Sequence, residues 1–290
     1  MPPVKGGGME INMHIEDTET KYMPIGVFDS GVGGLTVARE IMRQLPNERM
    51  VYFGDTARVP YGAKSQKTII RFSEQIIHFL KTKHVKAIVV ACNTASALAL
   101  ESIRPTLDLP IIGVLKPGAK VAAESTRNGK IGVIATESTI DSHLYTNVIL
   151  SHNPQAQVLG KACPLFVPLV EEGWLKDPVT YEVANRYLEP LIESGIDTMI
   201  MGCTHYPLLR SVLREIMGEG VTLVNPAYET TRGLAALLAQ HGIENDGKRK
   251  NAEPRYEFYV SDAANKFRKF ANSILPYGVD TTQLIEIEAY

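Results

Sequence analysis

Cys92 and Cys203 each follow a short apolar run and precede small polar residues. Ile88-Val89-Val90-Ala91 meets Cys92-Asn93-Thr94, and Met199-Ile200-Met201-Gly202 meets Cys203-Thr204-His205. Each stretch reads as a buried strand that ends in a thiol where a helix begins. A free thiol titrates near about 8.5, and a helix N-terminus or a neighbouring base favours its thiolate. One cysteine with one histidine would suggest acyl transfer through a covalent intermediate. Two cysteines at equivalent places suggest a reaction with two faces, in which a proton leaves one side of a carbon and another arrives on the opposite side. That is racemisation or epimerisation. His205 can tune Cys203 or share its proton, and Asp29 is the corresponding general-base candidate beside Cys92. No lysine has a pyridoxal-like setting and no cofactor motif occurs, so the protein must stabilise a carbanion-like state in a desolvated, preorganised cleft.

Strand and helix signals alternate along the chain. Ile25-Gly26-Val27-Phe28 leads into Asp29-Ser30-Gly31-Val32-Gly33-Gly34 and a helix opening at Leu35. The glycines there permit backbone conformations that a Cβ would forbid and leave bare N–H groups suited to an anion. The bland alternative is a turn in which Asp29 or Ser30 caps the helix. The stretch is neither a P-loop nor a dinucleotide fingerprint. Met50 to Phe53 forms a second strand, running into a turn-rich loop that carries Pro60-Tyr61-Gly62. A helix from about Ser65 to Lys83 precedes the Cys92 strand, and Pro110 to Val114 forms a fourth strand. Lys116-Pro117-Gly118 is expected to break the pattern at a domain crossing.

Ile131-Gly132-Val133-Ile134-Ala135-Thr136 then echoes the first strand, at nearly the offset that separates the two cysteines. This predicts two similar units from a duplication: two pseudo-symmetric doubly wound α/β domains with mainly parallel sheets, and ligands beyond the carboxyl ends of the strands. The expected limits are a flexible leader at 1–22, a first domain of 23–117 with 228–290, and a second of 118–227. Ala162 to Trp174 reads as a loop too rich in proline for regular structure, with Cys163 a small buried hydrophobe. Helices are expected at about 179–194 and 228–241. Tyr256 to Val260 is expected to complete the first sheet as a half-exposed edge. Lys248-Arg249-Lys250 reads as part of a solvated loop, and His14 as an exposed residue of the leader.

The composition removes several classes of function. Lys and Arg number 30 against 32 Asp and Glu in 290 residues, so no basic field points to nucleic acid or an anionic membrane. With 44% hydrophobic residues the chain fills real cores. Three cysteines and no secretory segment fit a reducing cytoplasm, and no apolar run is long enough to span a bilayer.

Phe28-Asp29-Ser30-Gly31-Val32-Gly33-Gly34-Leu35, Pro60-Tyr61-Gly62, Ala91-Cys92-Asn93-Thr94 and Gly202-Cys203-Thr204-His205-Tyr206-Pro207, in that order, resemble the glutamate racemases of the aspartate/glutamate racemase superfamily. The resemblance runs from Met23 to the last strand. It implies cofactor-independent, metal-free interconversion of L- and D-glutamate, supplying D-glutamate for bacterial peptidoglycan. It also implies that Cys92 acts on the D-enantiomer and Cys203 on the L-enantiomer, with Asp29 and His205 assisting and Glu171 a further acidic helper. Ser30, Tyr61, Gly62, Asn93, Thr94 and Thr204 carry over as substrate binders together with Asp29 and His205, and Thr136 and Thr139 as weaker ones with helix capping as the alternative. The partner implied is the small molecule glutamate, and a homodimer is left open. Departures are the long leader, Lys116 where an acidic residue is common, and Asn225-Pro226-Ala227-Tyr228 in place of a Ser- or Asp-containing turn. The competing readings are a racemase of aspartate or a related amino acid, and a noncatalytic protein that binds acidic metabolites.

Overall fold

The computed structural model describes residues 19–249 and 255–290. Two wholly parallel sheets organise the chain, in the strand orders β10-β9-β2-β1-β3-β4 and β6-β5-β7-β8. The first contains β1 (Ile25–Asp29), β2 (Met50–Gly54), β3 (Ala87–Val90), β4 (Ile111–Gly113), β9 (Tyr256–Val260) and β10 (Gln283–Leu284). The second contains β5 (Lys130–Ala135), β6 (Gln157–Ala162), β7 (Thr198–Gly202) and β8 (Thr222–Val224). The order β2-β1-β3-β4 recurs as β6-β5-β7-β8, so the sequence echo between Ile25 and Ile131 corresponds to one topology built twice. β1, β2 and β7 are buried along their whole length, as apolar strands covered by helices on both faces must be.

Helix Gln66–Thr82 lies where its pattern placed it, with Ser65 as N-cap accepting from the Thr68 N–H. Helix Leu115–Ser125 runs straight through Lys116-Pro117-Gly118, where a break was expected. Pro117 falls in the first turn, where no intrahelical N–H donor is needed, and Lys116 pairs on the surface with Glu101 at 2.8 Å. The proline-rich stretch after Cys163 is likewise not all loop, because Phe166–Glu171 is helical and Pro168 again occupies the first turn. Asn225 caps helix Pro226–Gln240 by accepting from the Ala227 N–H, and Pro226 is its first residue. Helix Pro178–Glu193 begins at an Asp177 cap. β9 is not the edge: β10 pairs outside it, so β9 ends buried.

Most of the leader, with His14, lies outside the described residues, as does Lys250. Residues 19–22 are fastened rather than loose. The Lys86 ammonium, fully buried, donates to the carbonyls of Lys21 at 2.7 Å and Ile243 at 2.8 Å and pairs with Glu48 at 2.6 Å. Lys21 pairs with Asp246 and Arg249 with Glu19. Among the described residues no helix is long and apolar enough to cross a membrane.

Candidate active site

In a doubly wound sheet the crossover direction reverses between two neighbouring strands, and a crevice opens beyond their carboxyl ends. In the first sheet those strands are β1 and β3, which end at Asp29 and just before Cys92. In the second they are β5 and β7, which end just before Thr136 and Cys203. The two crevices face each other across one cavity of about 430 Å³. Ser30, Tyr61, Gly62, Cys92, Asn93 and Thr94 line it from one side. Thr136, Glu171, Cys203, Thr204 and His205 line it from the other. Asp29 and Thr139 lie behind this wall, each 1% exposed.

The seam between the halves is tight. The Thr36 hydroxyl donates to the Thr204 carbonyl at 2.9 Å, and the hydroxyls of Thr94, Thr136 and Thr139 form a triangle with sides of 2.9–3.3 Å. Thr136 makes no side-chain cap to its helix, so the capping alternative does not hold. The glycine-rich turn serves this seam, and its Gly31 lines the cavity beside Ser30. None of Gly31, Gly33 and Gly34 has a positive φ, and helix Leu35–Gln44 receives no side-chain cap. A Cβ on Gly33 would lie 2.3 Å from Thr204 Oγ1 and 2.5 Å from His205 Nδ1, and one on Gly34 would lie 2.4 Å from Asp29 Cβ. Glycine is required at position 33 because two walls of the site touch there, and at position 34 because Asp29 and Tyr52 of the same half pack against its backbone.

The two thiols have different surroundings. Cys92 is the N-cap of helix Asn93–Leu98, its Sγ accepting from the Ala95 N–H at 3.5 Å and lying 3.6 Å from Ser30 Oγ. The expected helix-end activation does not prevail at Cys92. Burial, reinforced by the negative charge of Asp29, pushes the Cys92 thiol up to about 12 against the weaker help of Ala95 and Ser30. Cys203 is followed by a turn and a 3₁₀ segment, Tyr206–Leu209, rather than directly by an α-helix. Its Sγ lies 3.8 Å from His205 Nδ1, and His205 Nε2 lies 3.2 Å from Glu171 Oε1. Burial opposes a charge on His205, but Cys203, Glu171 and Asp29 outweigh it and raise the imidazole to about 10. Glu171 is held below the usual carboxylate range by its hydrogen bond with His205, aided by Lys266 at 3.7 Å. Burial raises Asp29 despite the charge of His205 and the N–H groups of Gly34, Gly31 and Ser30. Its Oδ1 is sealed with no partner among the described residues.

Cys163 is buried outside the cavity in the core of the second sheet, as expected, with burial pushing its thiol up to about 12. Several residues escaped the sequence reading. Asp55, fully buried, accepts from Arg58 Nε at 2.7 Å, from Ser261 Oγ at 2.9 Å and from the Tyr61 hydroxyl, and so fixes the wall that Tyr61 presents. Lys266 reaches Glu171 from helix Ala264–Ile274. Tyr145 donates to Asn93 Oδ1 at 2.7 Å. Asp55 lay in a loop notable only for turn residues, and an aromatic at a helical position reads as core. Among the described residues no group of three His, Cys, Asp or Glu side chains is arranged to hold a metal.

A family model described as Asp/Glu/hydantoin racemase matches residues 25–232, the class that the paired sheets and shared two-thiol cavity define. A glutamate racemase of Geobacter metallireducens is 47% identical over 268 residues, 92% of this chain and 98% of that protein. The crystal structure of a glutamate racemase isoform from Bacillus anthracis superposes with a TM-score of 0.87 at 40% identity, covering 92% of this chain and 98% of the other. That of Francisella tularensis glutamate racemase in complex with D-glutamate gives 0.85 at 38% identity, covering 93% and 100%. The chain belongs to the glutamate racemase family.

Proposed function

We propose that this protein interconverts L- and D-glutamate without a cofactor, by a two-base mechanism in which Cys92 and Cys203 serve opposite faces of the α-carbon. The observation that carries this reading is the placement of both thiols on one cavity, at equivalent strand ends and in unlike electrostatic settings. A two-base reaction needs one thiol protonated and the other able to accept. Cys92, pushed up to about 12, holds its proton, while Cys203 adjoins His205, whose imidazole is raised to about 10 and so offers a positive charge to the sulfur 3.8 Å away.

In the L-to-D direction, Cys203 removes the α-proton of L-glutamate, and the electron pair left on carbon delocalises into the α-carboxylate. Cys92 then delivers its own proton to the opposite face. The cycle leaves a thiolate at Cys92 and a thiol at Cys203, the state required to run D to L. Glu171 and His205 stabilise charge on the Cys203 side, and Asp29 assists at Cys92. Ser30, Tyr61, Gly62, Asn93, Thr94, Thr136 and Thr204 bind the substrate through hydroxyl, amide and backbone groups, with Thr139 supporting Thr94 and Thr136. Donors fixed in place stabilise the carbanion-like state without having to reorganise. In this reading 23–117 with 228–290 form one domain and 118–227 the other. The product feeds bacterial peptidoglycan synthesis in the cytoplasm.

The test is incubation of the purified protein with L-glutamate in D₂O without added cofactor, following optical rotation and the α-proton resonance. Decay of rotation to zero with deuterium entering the α-carbon is the expected result. Folded, reduced protein that leaves glutamate unchanged, or that exchanges aspartate instead, overturns the assignment.

A further inference from the structure

Asn93 stands beside Cys92 on the cavity wall and is only 5% exposed. A carboxamide presents an acceptor on one side and two donors on the other, and nothing in its shape decides which side meets a ligand. Tyr145 decides it here. This tyrosine lies on helix Leu144–His152 of the opposite half, is 3% exposed, and donates its hydroxyl proton to Asn93 Oδ1 at 2.7 Å. Turning the amide over would leave the phenol accepting from the NH₂ group. Its own proton would then be buried without an acceptor, since Asn93 Oδ1 is its one acceptor among the described residues. Leaving such a group unpaired is the costly outcome for a buried hydroxyl. Asn93 Nδ2, by contrast, has no partner among the described residues and is not one of the sealed polar atoms, so it is left for the cavity. The ring is held in turn by Gly202, where a Cβ would come within 3.1 Å of Tyr145 Cε2.

We propose that Tyr145 is a positioning residue that locks the Asn93 amide with its NH₂ group toward the substrate, so that the site selects a carboxylate oxygen over a carboxamide nitrogen at that point. The hydrogen bond crosses from the half carrying Cys203 to the half carrying Cys92, so the same contact that reads the ligand also fixes the two walls. This inference rests on the glutamate reading. Wild-type protein that neither racemises nor binds glutamate would fail that reading before Tyr145 came into question.

Tyr145→Phe removes one oxygen and keeps the buried ring. KM for both enantiomers is expected to rise about tenfold, the loss of one oriented hydrogen bond to a charged ligand, with kcat nearly unchanged, as for uniform binding. Glutamine and isoglutamine, used as inhibitors, are expected to bind better relative to glutamate, because a freed amide can turn its carbonyl toward a ligand NH₂. In an Asn93→Ala background the Tyr145→Phe change is expected to leave KM where Asn93→Ala put it. Unchanged KM with unchanged discrimination between acid and amide overturns the proposal, as does an undiminished KM rise in the Asn93→Ala background. If Tyr145→Phe does not fold, the wild-type protein still answers by NMR. The Asn93 side-chain NH₂ resonances, assigned by their loss in Asn93→Ser, are expected to shift on saturation with D-glutamate, and resonances that stay in place overturn the proposal.

Discussion

Gly33→Ala adds one methyl group at the point where the first half of the molecule touches the second. The new carbon would lie 2.3 Å from Thr204 Oγ1, 2.5 Å from His205 Nδ1 and 2.6 Å from His205 Cε1. Non-bonded carbon contacts are comfortable at about 3.5 Å, so the wall bearing Cys203, Thr204 and His205 must retreat by roughly 1 Å. His205 has little freedom, being 7% exposed and held between Cys203 and Glu171. A misplacement of about 1 Å can cost about 100-fold in rate, and overpacking costs about 1–3 kcal/mol of stability. At this chain length each kcal/mol lowers Tm by roughly 2–4 °C. The assay is kcat/KM in both directions beside a thermal melt, with Gly220→Ala as control, since a Cβ there meets nothing within 4 Å. The expected outcome is a fall of about two orders of magnitude in kcat/KM for Gly33→Ala, a modest loss in Tm and no effect of Gly220→Ala. Gly33→Ala protein with wild-type kcat/KM and Tm would refute the argument that glycine is there for close approach.

Other consequences can be checked in parallel. His205 is raised from 6.5 to about 10, so its contribution to stability is whole below pH 6.5 and is lost as pH climbs toward 10. Cys92, also raised, adds to the loss only above about pH 9. The ligand-free Tm should therefore fall between pH 6.5 and 9, with a shallower fall in Glu171→Gln, and identical slopes by scanning fluorimetry would sink the coupling. Lys86→Met leaves the Glu48 carboxylate without its 2.6 Å partner and should cost about 3–5 kcal/mol in urea titrations; a loss below about 1 kcal/mol would mean the pair is water-filled. Lys266 is well exposed, so Lys266→Met should lower kcat/KM less than about fivefold. That loss should vanish in 1 M salt, where screening acts within about 3 Å, and a salt-independent deficit would give Lys266 a role other than its charge.

Much of the site is written in local order. Cys92, Asn93 and Thr94 are consecutive, as are Cys203, Thr204 and His205, and each trio follows an apolar strand, so their arrival at strand ends follows from the sequence pattern. The repeated β-first topology was legible for the same reason, because apolar runs alternating with helical segments permit few parallel arrangements. Pro117 and Pro168 misled because proline forbids helix interiors but not first turns, and the starting point of a helix is set by packing as much as by composition. β6 gave no clear strand signal, since an exposed edge strand lacks the apolar run of its buried neighbours.

The sequence by itself determined which residue types could do the chemistry and that two equivalent sets of them existed. Only the tertiary structure decided how they act on one another. The purpose of Gly33, the clamp of Asp55 on Tyr61, the reach of Lys266 to Glu171 and the grip of Tyr145 on Asn93 all join residues distant in the chain. The inequality of the two thiols arises in the same way: matching strand ends deliver both sulfurs into buried positions, but Asp29 attends one while His205 and Glu171 attend the other. Electrostatic interaction depends on distance and desolvation in three dimensions, neither of which is encoded in local residue spacing.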